Sequence, residues 1–220
     1  MKYEAVLFDC DGVLVDSEGI TNEVLRRMLH ERGWSLSSQD CMDIFLGRMV
    51  RDLKDMIEKN TGQPMTEDWL AAFRQQRDQA LETGLVAIPN AVQAVQQIHR
   101  HYAGRIACAS GADRQKIYLQ LRKVGLMGCF EGRIFSGHEM ARSKPYPDVY
   151  LAAAAALGFA ASACAVIEDT VIGARAGVAA GATVLGYCPG GVGHSSAQQL
   201  REVGVSQIFS DMAHLPALLN

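Results

Sequence analysis

Short apolar runs punctuate the chain, each ending where polar or small residues take over. Tyr3-Glu-Ala-Val-Leu-Phe-Asp9 comes first, followed by Arg105-Ile-Ala-Cys-Ala109, Arg133-Ile-Phe-Ser136, Ala163-Cys-Ala-Val-Ile167 and Thr183-Val-Leu-Gly-Tyr187. Continuous runs of this length, rich in strand formers and bounded by turn residues, predict strands buried on both faces. Helical periodicity separates them. Asp113 to Val124 places Ile117, Leu121 and Val124 on one stripe, with Gly125 as the stop. Pro147 suits the first turn of an alanine-rich helix that runs to Leu157 before Gly158. Val171 to Ala180 carries Gly173, Ala176, Gly177 and Ala180, small residues that let a backbone pack close to a sheet. Strands alternating with helices predict an α/β fold, a doubly wound parallel sheet.

One interval breaks the alternation. From Asp16 to about Ala87 the pattern predicts no strand, while Glu23–Arg32, Val50–Lys59 and Glu67–Glu82 all repeat apolar residues at helical spacing. The chain therefore divides into an α/β core of residues 1–15 and 88–220 and a helical insert, residues 16–87, after the first strand. Its two ends lie at the carboxyl edge of the sheet, where open α/β sheets bind ligands.

Composition narrows the classes of function. With 220 residues, 49% apolar and 20% charged, the chain has enough apolar surface for a packed core and too little charge for disorder. A net charge of -3 with no basic run disfavours a nucleic-acid reader. The chain lacks a run of about 18 apolar residues and a signal-peptide pattern, so a soluble, unexported protein with no membrane partner is expected. The six cysteines form no CxxC pair and have no histidine at zinc-finger spacing. They read as reduced, structural thiols of a cytoplasmic protein.

The candidate chemistry begins at Phe8-Asp9-Cys10-Asp11-Gly12, where two carboxylates stand on the loop leaving the first strand. One carboxylate can attack phosphorus and the other can pass a proton to the leaving oxygen. Gly12 permits a tight turn and close approach to a phosphate. An isolated DxDG reads more readily as a solvated loop of turn-forming acids. Three other strand ends argue against that reading: Ser110-Gly111 offers a hydroxyl and a free amide, Lys144 a compact positive charge, and Glu168-Asp169 further anionic oxygen. In a parallel sheet these ends meet at one edge. Four carboxylates there, Asp9, Asp11, Glu168 and Asp169, would repel one another without a hard cation, which implies Mg²⁺.

These segments are similar to the four motifs of the haloacid dehalogenase-like hydrolase superfamily: Phe8 to Glu18, the serine after the second strand, Ser143-Lys144-Pro145-x-Pro147-Asp148, and Ile167-Glu-Asp-Thr-x-x-Gly173. The insert at Asp16 resembles the small helical cap of the branch that holds phosphoglycolate phosphatase, sugar-phosphate phosphatases and β-phosphoglucomutase. The resemblance implies a Rossmann-like core and an aspartyl-phosphate intermediate, with Asp9 as nucleophile and Asp11 as general acid/base. By the same resemblance Ser110 and Lys144 hold the phosphate, to which the residues themselves add the amides of Gly12 and Gly111. The metal falls to Asp9, Glu168, Asp169 and the Asp11 backbone carbonyl.

Asp11 favours phosphorus chemistry over dehalogenation. Thr21 stands where the mutase pattern has histidine, which favours a phosphatase over a phosphosugar mutase. Gly47, Arg48 and Arg51 resemble the cap's specificity loop, so either arginine is a candidate substrate contact, while Arg51 also suits a solvated helix face. Arg74 and Arg77 read as a solvated cap face, and His138 and His194 as surface residues. A receiver-type phosphoacceptor switch shares the acids and the lysine but lacks the insert and would need an acid where Ser136 follows the third strand. A non-catalytic phospholigand binder is the remaining rival. The expected partner is a small phosphorylated metabolite, and the expected state a monomer or weak homodimer.

Overall fold

The computed structural model describes residues 2–191 and 193–220; Met1 and Val192, which fall inside the segments assigned above to the core, lie outside the described residues. Strand β1 (Ala5–Phe8) leads through a loop into the two-residue β2 (Val15–Asp16). Four helices follow, α1 (Glu18–Glu31), α2 (Ser38–Phe45), α3 (Lys54–Thr61) and α4 (Glu67–Gly84), before β3 (Val86–Ala87). The chain then alternates through α5 (Ala91–His101), β4 (Ile106–Ser110), α6 (Arg114–Lys123), α7 (Met127–Phe130) and β5 (Ile134–Ser136). It continues through α8 (Asp148–Ala156), β6 (Cys164–Glu168), α9 (Val171–Ala179) and β7 (Thr183–Tyr187). The last elements are α10 (Ala197–Glu202), β8 (Gln207–Phe209) and α11 (Leu215–Leu218).

Six strands form one sheet in the order β5-β4-β1-β6-β7-β8, every pairing parallel. The apolar runs are continuous because both faces are covered. Val6 and Phe8 of β1 pack into a cluster with Ile98 of α5 and Ile117 of α6. Ala5 and Leu7, pointing the other way, pack with Tyr150 and Ala153 of α8 and Ala174 of α9. Burying one such large apolar side chain is worth about 1.5–3 kcal/mol. The small residues of α9 serve close packing as expected: a Cβ at Gly177 would stand 2.8 Å from Val184 Cγ2 and 3.1 Å from Val166 Cγ1. Strand order reverses at β1, with β4 and β5 on one side and β6 to β8 on the other. The loops leaving β1 and β6 therefore part and open a crevice between them.

The helical interval packs around its own cluster, which includes Leu25 and Leu29 of α1, Cys41 of α2, Ile57 of α3 and Phe73 of α4. Three expectations need correction. The interval holds strand at both ends, since β2 and β3 pair antiparallel as Val15↔Ala87 and Asp16↔Val86; two residues are too few for alternation to register in sequence. The helix expected over Val50–Lys59 starts as a 3-10 turn, Val50–Leu53, and continues as α3 to Thr61. Helices α2, α5, α7, α10 and α11 and strand β8 fall where no element was predicted; β8 is a three-residue strand with Gln207 exposed. Among the described residues no helix is long and apolar enough to cross a membrane.

Candidate active site

Asp9 is the first residue after β1, and its amide donates to the Ile167 carbonyl of β6 at 3.0 Å, which ties the loop to the neighbouring strand. Lys144, in the loop between β5 and α8, reaches back across the sheet edge. Its Nζ donates to Asp9 Oδ1 at 2.9 Å, to Glu168 Oε1 at 2.7 Å and to the Tyr150 hydroxyl at 2.9 Å, which uses all three of its protons. Tyr150, on α8, in turn donates to Glu168 Oε1 at 2.6 Å and lays its ring 4.7 Å from the Lys144 ammonium. Burial alone would depress the Lys144 ammonium, but Asp9 and Glu168 more than offset it and raise its pKa. Tyr150 escaped the sequence reading, since a tyrosine in an alanine-rich helix looks like core.

Glu168 ends β6 and Asp169 follows it, both fully buried. The second oxygen of Glu168 accepts from the Asp169 amide at 3.1 Å. Asp169 is different: among the described residues neither of its carboxylate oxygens has a hydrogen-bond partner. Oxygens of Asp9, Glu168 and Asp169 lie within 4.8 Å of one another. A buried carboxylate without partners beside two others is a donor set suited to a hard, oxygen-seeking cation. Burial, opposed by Lys144 but reinforced by Glu168 and Asp11, pushes Asp9 up to about 7. Burial, with Glu168 and Asp9 adding to it, carries Asp169 well above the carboxylate range. A cation would reverse both shifts.

Two glycines make room for these acids. Gly12 sits at φ 71°, and a Cβ there would stand 2.1 Å from Asp169 Oδ2. A Cβ at Gly173, in the first turn of α9, would stand 1.8 Å from Glu168 Oε1. Both positions demand glycine for space.

Asp11 sits in a separate niche facing α6. Its Oδ1 accepts from Lys116 Nζ at 2.7 Å, from Gln120 Nε2 at 2.6 Å and from the Ser17 hydroxyl. Ser110, at the end of β4, donates to Asp11 Oδ2 at 3.4 Å and accepts from the Ala112 amide at 3.1 Å. Burial works to raise the Asp11 pKa, but Lys116 and the Ser17 and Gln120 hydrogen bonds prevail and hold it at about 2. Gly111, next in the chain, is half-buried beside Gly137. Lys116, Gln120 and Ser17 were not singled out in the sequence; the i, i+4 polar pair beside the apolar stripe of that helix was the available signal.

The helical interval closes the other side of the cavity. Gly47 comes close to the core, since a Cβ there would lie 3.4 Å from Thr170 Oγ1. Arg48 and Arg51 both line the cavity, are exposed, and have no ion-pair partner among the described residues. Thr21, Arg74 and His138 line it too. Arg77 overturns its expected place on a solvated face. It is buried, with its guanidinium 2.9 Å from Asp113 Oδ2 and 2.7 Å from Asp78 Oδ1, an ion pair that bridges α4 to the start of α6. The histidines are likewise not surface residues. His138 is half-buried at the cavity, and His194 Nε2 donates to the Gly12 carbonyl at 3.1 Å while lying 3.9 Å from Asp169 Oδ2. Long-range packing decides these positions, which no local pattern encodes.

Comparison with known proteins agrees with this geometry. Residues 3–181 match the family described as haloacid dehalogenase-like hydrolase. The chain is 28% identical over 188 residues to the 6-phosphogluconate phosphatase of Escherichia coli, covering 85% of this chain and 83% of that protein. Among solved structures it is similar to a haloacid dehalogenase family hydrolase from Deinococcus radiodurans with bound phosphate and sodium, with a TM-score of 0.78 and 33% identity over 99% of this chain and 95% of that one. A conserved haloacid dehalogenase-like protein from Agrobacterium tumefaciens gives a TM-score of 0.81 at 30% identity, covering 99% of this chain and 97% of that one. Profile, relatives, sheet order and clustered acids agree: the chain belongs to the haloacid dehalogenase-like hydrolase family.

Proposed function

We propose that the protein is a Mg²⁺-dependent phosphomonoesterase of the cytoplasm that hydrolyses a small phosphorylated metabolite through an aspartyl-phosphate. The observation that carries this reading is the convergence of Asp9, Lys144, Glu168 and a partnerless Asp169 at the crevice, with Asp11 held next to them. Asp9 attacks phosphorus in line, and Asp11, ionised in the free protein, takes up a proton as the substrate binds and passes it to the leaving oxygen. Asp11 then draws a proton from water as it attacks the aspartyl-phosphate. Ser110, Lys144 and the amides of Gly111 and the Gly12 turn hold the phosphoryl oxygens, a preorganised arrangement that is commonly the largest contribution to catalysis. Asp9, Glu168, Asp169 and the Asp11 carbonyl would hold Mg²⁺, which supplies charge neutralisation at the transferring group.

Residues 16–87 act as a cap in this reading, excluding bulk water until the alcohol has left. Arg48 and Arg51, cationic and unpaired at the cavity, are placed to meet the part of the substrate distant from phosphorus. The relative named 6-phosphogluconate phosphatase supports a phosphorylated sugar or sugar acid. The phosphate bound in the Deinococcus relative supports a phosphate site. The six free cysteines are in keeping with a reducing compartment.

Purified protein incubated with a panel of sugar phosphates, phosphorylated acids and nucleotides tests the reading. Mg²⁺-dependent release of inorganic phosphate is expected, strongest from a sugar or sugar-acid phosphate. Release from none of them, and none from a generic aryl phosphate, would remove the assignment.

A further inference from the structure

Helix α6 contributes no motif residue to the mechanism above, yet it supplies most of what holds Asp11. Lys116 and Gln120, one turn apart, face the same way and are both buried. Both donate to Asp11 Oδ1, at 2.7 and 2.6 Å, and the Ser17 hydroxyl donates to the same oxygen. Among the described residues the other oxygen, Oδ2, meets only the Ser110 hydroxyl as a hydrogen-bond partner, at 3.4 Å. One oxygen of Asp11 is anchored and the other is left for exchange.

The orientation is itself held in place. The Cys10 thiol donates to Gln120 Oε1 at 3.3 Å, so a flip of that amide would lose the thiol and turn Nε2 away from Asp11. The Lys116 ammonium, 8% exposed, has Asp11 as its one ion-pair partner among the described residues, with Glu18 acting on it from further away. Its own backbone amide donates to the Asp113 side chain at 3.0 Å, the N-cap of α6. A buried ammonium is a costly way to fill space, since an apolar side chain of equal volume would serve packing as well or better.

We propose that Lys116 and Gln120 are positioning residues that aim Asp11 Oδ2 at the water which empties the phosphoenzyme. In that step the water oxygen forms a bond to phosphorus and passes a proton to Asp11 Oδ2. The bond between phosphorus and the Asp9 oxygen breaks, its electron pair returning to the Asp9 carboxylate. The proposal rests on reading Asp9 as nucleophile and Asp11 as base.

Rapid mixing with p-nitrophenyl phosphate at saturating Mg²⁺ separates the two steps, because the nitrophenolate leaves phosphorus with little need of a proton. Lys116→Met is expected to release close to one nitrophenolate per enzyme in a burst, then to turn over about 10- to 100-fold more slowly than the parent. Gln120→Leu, the variant to rely on if Lys116→Met does not fold, should keep the burst and lose about 10-fold in the slow phase. A purely structural role would lower burst and steady rate together. That result, or a steady rate equal to the parent's in both variants, overturns the proposal.

Parallel variants isolate the underlying reading. If Asp9→Asn turns over normally, the reading itself fails. If Asp9→Asn is inactive and Asp11→Ala bursts and stalls while the α6 variants behave as the parent, only the inference about α6 fails.

Discussion

The acids at the site are of two kinds, set by what surrounds each one. Asp9 and Asp169 are disfavoured as anions by burial and by Glu168 beside them, whereas Asp11 is strongly favoured by the donors of α6 and by Ser17. Charge at Asp9 is therefore costly until a cation arrives. Asp9→Asn should abolish turnover by at least about 10³-fold, because an amide cannot serve as the nucleophile. It should also leave thermal stability intact or higher, since it removes a disfavoured charge. Wild-type turnover in that variant at matched Mg²⁺ would remove Asp9 from its role.

Gly173→Ala is a sharper test of space. In an exposed helix the change gains about 1 kcal/mol in propensity. Here the new methyl would stand 1.8 Å from Glu168 Oε1, so the carboxylate must move. The Mg²⁺ concentration for half-maximal activity should rise about 10- to 100-fold. An unchanged Mg²⁺ titration would separate Glu168 from the metal.

Among the elements, α6 joins the helical interval to the acids at the crevice. Asp113 caps it, accepting from the Lys116 amide, and pairs with Arg77 of α4. Asparagine caps a helix as well as aspartate but carries no charge. Asp113→Asn should therefore lose only the ion pair, about 1 kcal/mol, while Asp113→Ala loses the cap as well, about 2 kcal/mol together. Urea unfolding should rank parent above Asp113→Asn above Asp113→Ala. Equal midpoints for both variants would mean that the cap contributes nothing. The pairing also explains why Arg77 looked solvated in sequence: it lies among Gln75, Gln76 and Asp78, and only the approach of α6 buries it.

For the molecule as a whole, the raised acids predict how stability responds to pH and metal. Asp9 rises from 3.8 to about 7 and Glu18, with burial again the leading cause, from 4.5 to about 7; Asp169 is also raised. Groups raised in the folded state bind protons more tightly there than when unfolded. Their stabilisation is complete below pH 4 and lost as pH climbs through 7. Asp11, lowered to about 2, acts only below pH 4, and Lys144 and Lys116, both raised, act above 10. His138, lowered mainly by burial, works in the opposite sense near neutrality, one group against three. Chelated protein should melt lower at pH 8 than at pH 5, by about 5 °C or more for a chain of this size. Mg²⁺ should raise the midpoint, and more at pH 8 than at pH 5. A chelated midpoint independent of pH, or equal Mg²⁺ gains at both, would show that the carboxylate cluster is not the source.

Local chemistry made a large part of this protein legible in one dimension. Strands covered on both faces must be continuous in apolar residues, so β1, β4, β5, β6 and β7 announce themselves, and the groups at their carboxyl ends are brought together by parallel pairing alone. For that reason Asp9, Asp11, Ser110, Lys144, Glu168 and Asp169 could be named before any coordinates. Gly12 and Gly173 were visible as motif residues, but the carboxylates that require them to lack a side chain were not. Tyr150, Lys116, Gln120, Arg77 and His194 lie outside that logic. Each is placed by an element distant in sequence: α8 brought to β6, α6 brought to the β1 loop, α4 brought to α6, and the segment after β7 brought to Gly12. Whether a polar side chain on a helix meets water or a buried carboxylate depends on what packs against that helix, and only the tertiary structure decides it.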